Sequence, residues 1–174
     1  MLKIALIVCG ALVGLVVLVT LVGLLLPRGH VATGAVRLER APDAVWAAVT
    51  TVEEFTRWRG DLKGAERLPD KNGRPVWRET DKHGQTMTLE CEEWSAPRRL
   101  VTRIADAGLP FGGTWTIEIE PAGAGCTVRV TENGEVYNPI FRFMARFVFG
   151  HRATLRGYLL ALAKRFDAPV ALLD

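Results

Sequence analysis

Residues 114–131, TWTIEIEPAGAGCTVRVT, decide the fold that this sequence predicts. Apolar and polar side chains alternate on both sides of the central Pro and Gly residues, with Trp115, Ile117 and Ile119 before them and Val128 and Val130 after them. Such alternation is typical of strands with one buried face and one hydrated face. Because the connection between the two runs is short, the two strands must be antiparallel.

The same pattern recurs on the N-terminal side of this hairpin. Five further strand-like runs, separated by short stretches rich in turn-forming residues or by helices, cover residues 31–39, 62–68, 75–80, 85–94 and 99–105. Two short helices are predicted between the first two runs, one with Pro42 in its first turn and one that ends near Trp58. The chain therefore predicts a curved antiparallel sheet that is apolar on one face.

The last predicted element is one long helix over residues 139–166. Met144, Phe147, Leu155 and Tyr158 belong to a set of apolar side chains that recur mainly at spacings of three and four, which is typical of a helix with one buried stripe. His151 fills the gap in that stripe. If the sheet wraps around this helix, a hydrophobic cavity remains wherever the helix does not fill the curve.

An uncharged apolar run covers residues 4–26. A helix of this length spans roughly 34 Å, which is enough to cross a bilayer. A cleaved signal peptide would have a shorter apolar region and a small-residue cleavage site, whereas this run ends in LLLP at residues 24–27. We therefore predict a transmembrane anchor over residues 1–27, in contact with the lipid bilayer through residues 4–26, and one domain over residues 28–174.

The charges that flank the anchor are nearly balanced, with Lys3 on one side and Arg28 on the other. Since short basic tails usually stay inside the cell, we predict a single-pass membrane protein whose domain lies outside the cytoplasm. Gly10 and Gly14 share one face of the anchor and would permit a weak homodimer, although glycine is also common in membrane spans.

Composition and spacing exclude several classes of function. The formal net charge of +3 is too small for a dedicated nucleic-acid binder. The three histidines form no hydrolase triad, and no metal or nucleotide motif has the required spacing. We therefore predict no cofactor, no metal and no nucleic acid. Cys91 and Cys126 lie on separate strands, where they either stay buried as free thiols or pair in an oxidising compartment.

The order of elements resembles the START-like helix-grip superfamily, also called SRPBCC or Bet v 1-like, and within it the polyketide cyclase/dehydrase and lipid-transport type. The resemblance rests on the long final helix and on the motifs APDAVW at residues 41–46, FTRW at 55–58 and WSAPRRL at 94–100, and it covers residues 31–167. It implies an α+β fold in which a curved antiparallel sheet grips the C-terminal helix, with an apolar small molecule bound in the central cavity.

In such a fold, the inward-facing side chains of the sheet and of the final helix would line the cavity. They are Trp77, Met87, Leu89, Leu100, Thr102, Ile104, Trp115, Ile117, Val128, Val130, Met144, Phe147, His151 and Leu155. Ahead of the strand at residues 114–120, Leu109 and Phe111 lie in a glycine-containing loop. They would either gate the cavity or fold back onto the core.

Three polar side chains are candidates for acid/base chemistry in the cavity, namely His151, Glu132 and Tyr158. His151 either contacts a ligand or is a hydrogen-bonded residue of the core. Strict alternation from Val130 would aim Glu132 inward, but the sequence ENG at residues 132–134 is typical of a turn or bulge that resets the alternation. We therefore expect Glu132 to be exposed.

The sequence thus predicts a membrane-anchored domain that binds a lipid or another hydrophobic small molecule and that has no catalytic activity. The alternative is an enzyme of the polyketide cyclase/dehydratase type that uses acid/base residues in the same cavity.

Overall fold

The computed structural model describes residues 1–169 and the backbone of Leu172–Leu173. In chain order the elements are α1 (Leu2–Leu25), β1 (Gly29–Leu38), α2 (Pro42–Thr50), a 3-10 turn (Val52–Glu54), α3 (Phe55–Trp58), β2 (Leu62–Lys71), β3 (Arg74–Asp81), β4 (Thr86–Ser95), β5 (Arg99–Ile104), β6 (Phe111–Ala122), β7 (Gly125–Val136), α4 (Pro139–Met144), a π-helical turn (Ala145–Phe149), α5 (Ala153–Arg165) and β8 (Leu172–Leu173).

The sheet confirms the predicted α+β fold. Its strands follow the order β2-β3-β4-β5-β6-β7-β1-β8, and every neighbouring pair is antiparallel. Seven long strands form a curved surface, and the helices α2, α3 and α5 lie against it. Consecutive strands from β2 to β7 are neighbours because the connections between them are short.

The hairpin of β6 and β7 is longer than the sequence predicts. The two strands pair along their whole length, and Asn133 lies directly opposite Thr114. The turn or bulge predicted at residues 132–134 is therefore wrong, because strand pairing continues through it. Alternation is not reset, so Glu132 keeps the inward direction of Val130, and its side chain is only 18% exposed.

The single long helix predicted over residues 139–166 is divided into three segments. The side-chain oxygen of Asn138 caps α4 by accepting hydrogen bonds from the backbone N–H groups of Ile140 and Phe141. After the π-helical turn, Gly150 takes a φ of +76° and a ψ of 147°. Glycine adopts these angles easily whereas other residues rarely do, so the helix breaks there and α5 starts separately.

The core lies where α5 covers β1 and β7. Leu155 and Leu159 of α5 approach β1 at Gly34, where an added Cβ would lie 2.7 Å from Leu155 Cδ2. Val128 and Val130 of β7 are fully buried in the same core. Because α5 fills this side of the curve, space for a cavity remains along β3–β6.

The N-terminal helix α1 lies apart from the sheet. By length and composition it can cross a membrane, and its most apolar segment has a mean hydropathy of 3.0 and is not buried in the structure. Its last turn packs against α4, where an added Cβ on Gly23 would overlap the carbonyl group of Pro139. Gly10 and Gly14 have open space around them, and the homodimer through them stays a prediction.

Candidate functional site

A cavity of about 770 Å³ lies between the inner face of β3–β6 and the C-terminal helical segments. Its volume is within the range of small-molecule binding sites. The residues predicted from the sequence that line it are Trp77, Met87, Leu89, Leu100, Thr102, Ile104, Trp115, Ile117, Met144 and His151. Contact between these side chains and a ligand stays a prediction.

Four other predicted residues do not line the cavity. Val128 and Val130 of β7 and Leu155 of α5 are buried in the core between the two elements, because α5 fills the curve of the sheet at β1 and β7. Phe147 is 59% exposed. Phe147 lies in the π-helical turn, whose i→i+5 hydrogen bonds interrupt the α-helical spacing on which its prediction rested. The structure therefore places these four outside the cavity lining, and their contact with a ligand stays a prediction.

The two predicted gate residues are placed differently. Phe111 lines the cavity as the first residue of β6, whereas Leu109 does not line it. The loop that carries Leu109 is held to the end of β7, because the backbone N–H of Tyr137 donates to the carbonyl oxygen of Pro110 at 2.8 Å. A gating motion of Phe111 stays a prediction.

His30, Glu132 and His151 meet at one side of the cavity. His30 Nε2 lies 3.4 Å from Glu132 Oε1, and the rings of His30 and His151 stack with their centroids 4.1 Å apart. His30 Nδ1, Glu132 Oε2 and His151 Nδ1 are buried and have no hydrogen-bond partner. Buried polar atoms are nearly always paired, so these three are free to bond a polar group of a ligand.

Burial controls the ionisation of this His–Glu–His cluster. It raises the pKa of Glu132 from its usual 4.5 to about 7, although the side chain of Trp115 lowers this pKa. Burial also lowers the pKa of His30 and of His151, and positive charge on His30 and Arg146 lowers the pKa of His151 further. Burial therefore favours the uncharged form of all three side chains, and the carboxyl group of Glu132 can gain or lose a proton near neutral pH.

A second polar group lies in the cavity wall where α3 meets β3. Arg59 Nη1 donates to Glu79 Oε1 at 2.8 Å, and the Trp77 indole N–H donates to the same oxygen at 3.1 Å. Arg59 also bonds Asp61 and lies over the ring of Tyr158. Tyr158 is buried, which raises its pKa well above the usual value. Arg59 Nε is buried without a hydrogen-bond partner, but Nη1 and Nη2 are paired with Glu79 and Asp61, which favours a structural role.

His30, Arg59 and Glu79 line the cavity but are absent from the sequence prediction. Alternation along β1 puts His30 on the same face as the buried Ala32, and alternation along β3 puts Glu79 on the face of Trp77. The signal was therefore present for both residues. Arg59 follows the end of α3, where no periodic pattern applies.

The remaining reactive groups are the two cysteines of the sheet and the side chains that could hold a metal ion. Cys91 and Cys126 are free thiols on β4 and β7, which are separated by two strands, and burial raises the pKa of both. Within the described part of the chain, no group of three His, Cys, Asp or Glu side chains is arranged to hold a metal ion.

Comparison with known proteins identifies the family of this chain. Residues 30–167 match a family model described as polyketide cyclase/dehydrase and lipid transport. The chain belongs to this family. The resemblance inferred from the sequence motifs is thereby confirmed. The residues that line the cavity of this family member run from His30 to Tyr158, so all of them lie within the matched range.

Solved structures similar to this family member have the same fold. A START superfamily protein from Mycobacterium smegmatis is 20% identical, with a TM-score of 0.64, over 79% of this chain and 97% of that one. The Zhui aromatase/cyclase from Streptomyces sp. R1128 is 13% identical, with a TM-score of 0.65, over 80% and 94%. Norcoclaurine synthase from Thalictrum flavum is 13% identical, with a TM-score of 0.60, over 79% and 86%. No curated protein matches the chain. At these identities the likeness is one of fold.

Proposed function

We propose that this chain is a membrane-anchored START-like domain that binds a lipid or another hydrophobic small molecule. The observation that carries the proposal is the mainly apolar cavity of about 770 Å³. In this proposal residues 1–27 are the anchor, residues 28–174 are the binding domain, and residues 4–26 contact the bilayer. The flanking charges are nearly balanced, and the short basic N-terminal tail favours a domain outside the cytoplasm.

Burial of an apolar chain would supply most of the affinity. Each methylene group that leaves water gains about 0.8 kcal/mol, so a chain of about twelve carbons gains roughly 9 kcal/mol before the cost of ordering. The unpartnered atoms of the His–Glu–His cluster would bond the polar end of the ligand. A hydroxyl, carbonyl or protonated acid group fits best, because Glu132 becomes negative as the pH rises above about 7.

A substitution that fills the cavity tests the binding proposal. Ile104 lines the cavity, so Ile104→Trp would place an indole ring in the space for the ligand. Val101 lies on the opposite face of β5, and Val101→Trp is therefore the matched control. Both variants keep the cavity-lining Trp77 and Trp115 as fluorescence donors.

The assay uses the full chain in lipid nanodiscs titrated with a dansyl-labelled fatty acid. Energy transfer from tryptophan to the dansyl group reports binding near the cavity. We expect saturable transfer in the wild type and in Val101→Trp, and only the linear background of membrane partitioning in Ile104→Trp. Equal transfer in all three proteins would contradict the proposal.

The His–Glu–His cluster favours a second function, proton transfer to and from a bound ligand. A carboxyl group with a pKa of about 7 is suited to take a proton from the carbon beside a carbonyl group and to return it. Two similar structures are named as an aromatase/cyclase and a synthase. This candidate is an acid/base enzyme acting on a ketone.

Hydrogen exchange on a ketone separates the enzyme from the binding protein. A long-chain 2-alkanone would be incubated with the full chain in D₂O, and NMR would follow the replacement of hydrogen by deuterium at the carbon atoms beside the carbonyl group. An enzyme accelerates exchange, and Glu132→Gln abolishes the acceleration while the ketone still binds. A binding protein leaves the exchange at the rate of buffer with empty nanodiscs.

A further inference from the structure

The segment that contains α4 and the π-helical turn exposes a group of large apolar side chains. These residues, which we call the α4 patch, are Tyr137, Ile140, Phe141, Phe147, Val148 and Phe149. They are close in sequence and include four aromatic rings. Contiguous exposed apolar surface of this kind usually marks a binding face.

The position of the α4 patch relative to α1 indicates what covers it. Gly23 in the last turn of α1 is buried against Pro139 at the start of α4. The guanidinium group of Arg142 donates hydrogen bonds to the carbonyl oxygens of Gly23 at 3.1 Å, Leu26 at 3.2 Å and Tyr137 at 2.9 Å. α4 is therefore fixed to the C-terminal end of α1, whose last carbonyl groups would otherwise lack partners.

This attachment sets the level of α4 along the axis of α1. Gly23 lies three residues before Leu26, the last residue of the apolar run, which is about 4–5 Å along a helix. If α1 spans a bilayer, α4 then lies at the boundary between the acyl chains and the headgroups. Tyr side chains are enriched at that boundary, and Phe is typical of the apolar face that an interfacial helix buries there.

Charge agrees with this position. Arg28 follows the end of α1, Arg146 lies within the π-helical turn, and both are exposed. Basic side chains at this level attract the phosphate groups of the lipid headgroups. A bilayer therefore offers the α4 patch both an apolar interior for its rings and an anionic layer for its arginines.

We propose that the α4 patch is inserted into the interfacial layer of the bilayer that α1 spans, and that the cavity exchanges its ligand directly with this leaflet. Phe141 and Phe149 belong to the patch and also line the cavity, although they are 49% and 66% exposed. They connect the bilayer with the cavity. This inference rests on the proposed membrane anchoring by α1 and adds the route by which a lipid reaches the site.

Photo-crosslinking measures where the patch lies. The full chain would carry p-benzoylphenylalanine in place of Phe147, which belongs to the α4 patch but does not line the cavity, in vesicles of phosphatidylcholine and phosphatidylglycerol. The matched control carries it in place of Trp94, an aromatic residue that is 40% exposed on the other side of the domain, where it packs against Trp46 of α2. We expect lipid adducts at least five times more abundant at position 147 than at position 94.

Other outcomes would overturn the proposal. A cross-linked dimer at position 147 without lipid adducts would make a second copy the occupant of the patch. An adduct with another protein, or no adduct above that at position 94, would also reject the bilayer as occupant. Extraction with alkaline carbonate tests α1 separately, because a chain that stays in the membrane keeps the anchor even if the patch proves to be exposed to water.

The kinetics of ligand uptake test the route. Phe147 belongs to the patch but does not line the cavity, so Phe147→Asp should weaken insertion without changing the site. We expect uptake of the dansyl-labelled fatty acid to slow at least tenfold at unchanged saturation. Thr56→Asp adds the same charge on an exposed position of α3 and should leave uptake unchanged. Equal rates for Phe147→Asp and the wild type would contradict the route.

Discussion

Replacement of Glu132 by glutamine should change the pH dependence of stability in a defined direction. In the folded chain burial raises the pKa of this carboxyl group from 4.5 to about 7. Between these two pH values the unfolded chain has released the proton while the folded chain still holds it, so stability falls as the pH rises. Each pH unit lowers the free energy of unfolding by about 1.4 kcal/mol, and the whole range from 4.5 to 7 lowers it by roughly 3 kcal/mol.

Glutamine cannot ionise, so Glu132→Gln should remove this loss. The free energy of unfolding of the variant minus that of the wild type should therefore rise by roughly 3 kcal/mol from below pH 4.5 to above pH 7. Most of this rise should occur between the two pH values. The free energy of unfolding would be measured by urea titration of the full chain in detergent micelles, with tryptophan fluorescence as the signal.

Comparison at each pH isolates the carboxyl group from the histidines, whose lowered pKa values act on both proteins. Glu120→Gln is the control, because it makes the same chemical change at an exposed position of β6 that does not line the cavity. A difference between Glu132→Gln and the wild type that is constant from acidic to alkaline pH would refute the buried, neutral state of Glu132.

Three further substitutions test the packing of helices on the rest of the chain. Arg142→Met removes the hydrogen bonds that join α4 to α1, and a hydrogen bond with one charged partner is worth about 1.5–3 kcal/mol. The backbone amide hydrogens of residues 139–149 should then exchange with deuterium at least tenfold faster, as measured by mass spectrometry. Unchanged exchange would contradict the attachment. Gly34→Ala should lower the free energy of unfolding by about 1–3 kcal/mol because of overlap with Leu155, whereas Gly157→Ala, in open space on α5, should raise it by up to about 1 kcal/mol. Chemical denaturation measures the free energy of unfolding of both glycine variants. A change of the same sign in the two variants would contradict the packing described.

The elements that repeat a simple pattern could be predicted from the sequence. Alternation identified the strands, because a half-buried sheet imposes a period of two on its side chains. It also identified the inward faces of β3–β6, where Trp77, Leu100 and Trp115 line the cavity. The uncharged run that forms α1 was identified by composition alone.

The remaining errors come from local rules that tertiary structure overrides. The sequence ENG at residues 132–134 has strong turn propensity, but pairing with β6 along the full hairpin keeps it in a strand. Gly150 interrupts a stripe of apolar residues that otherwise has helical spacing, and only the backbone angles show the break. His30 and His151 come together through β1 and the chain after Gly150, a contact that no local spacing contains.

The central claim is that the cavity of this family member holds a lipid taken from the membrane. Native mass spectrometry of the full chain released from nanodiscs measures this most directly, by the mass of what stays bound. The account predicts one lipid-sized molecule per chain in the wild type and in Val101→Trp, and none in Ile104→Trp. A wild-type chain that is released without any bound molecule, or equal occupancy in Ile104→Trp, would contradict it.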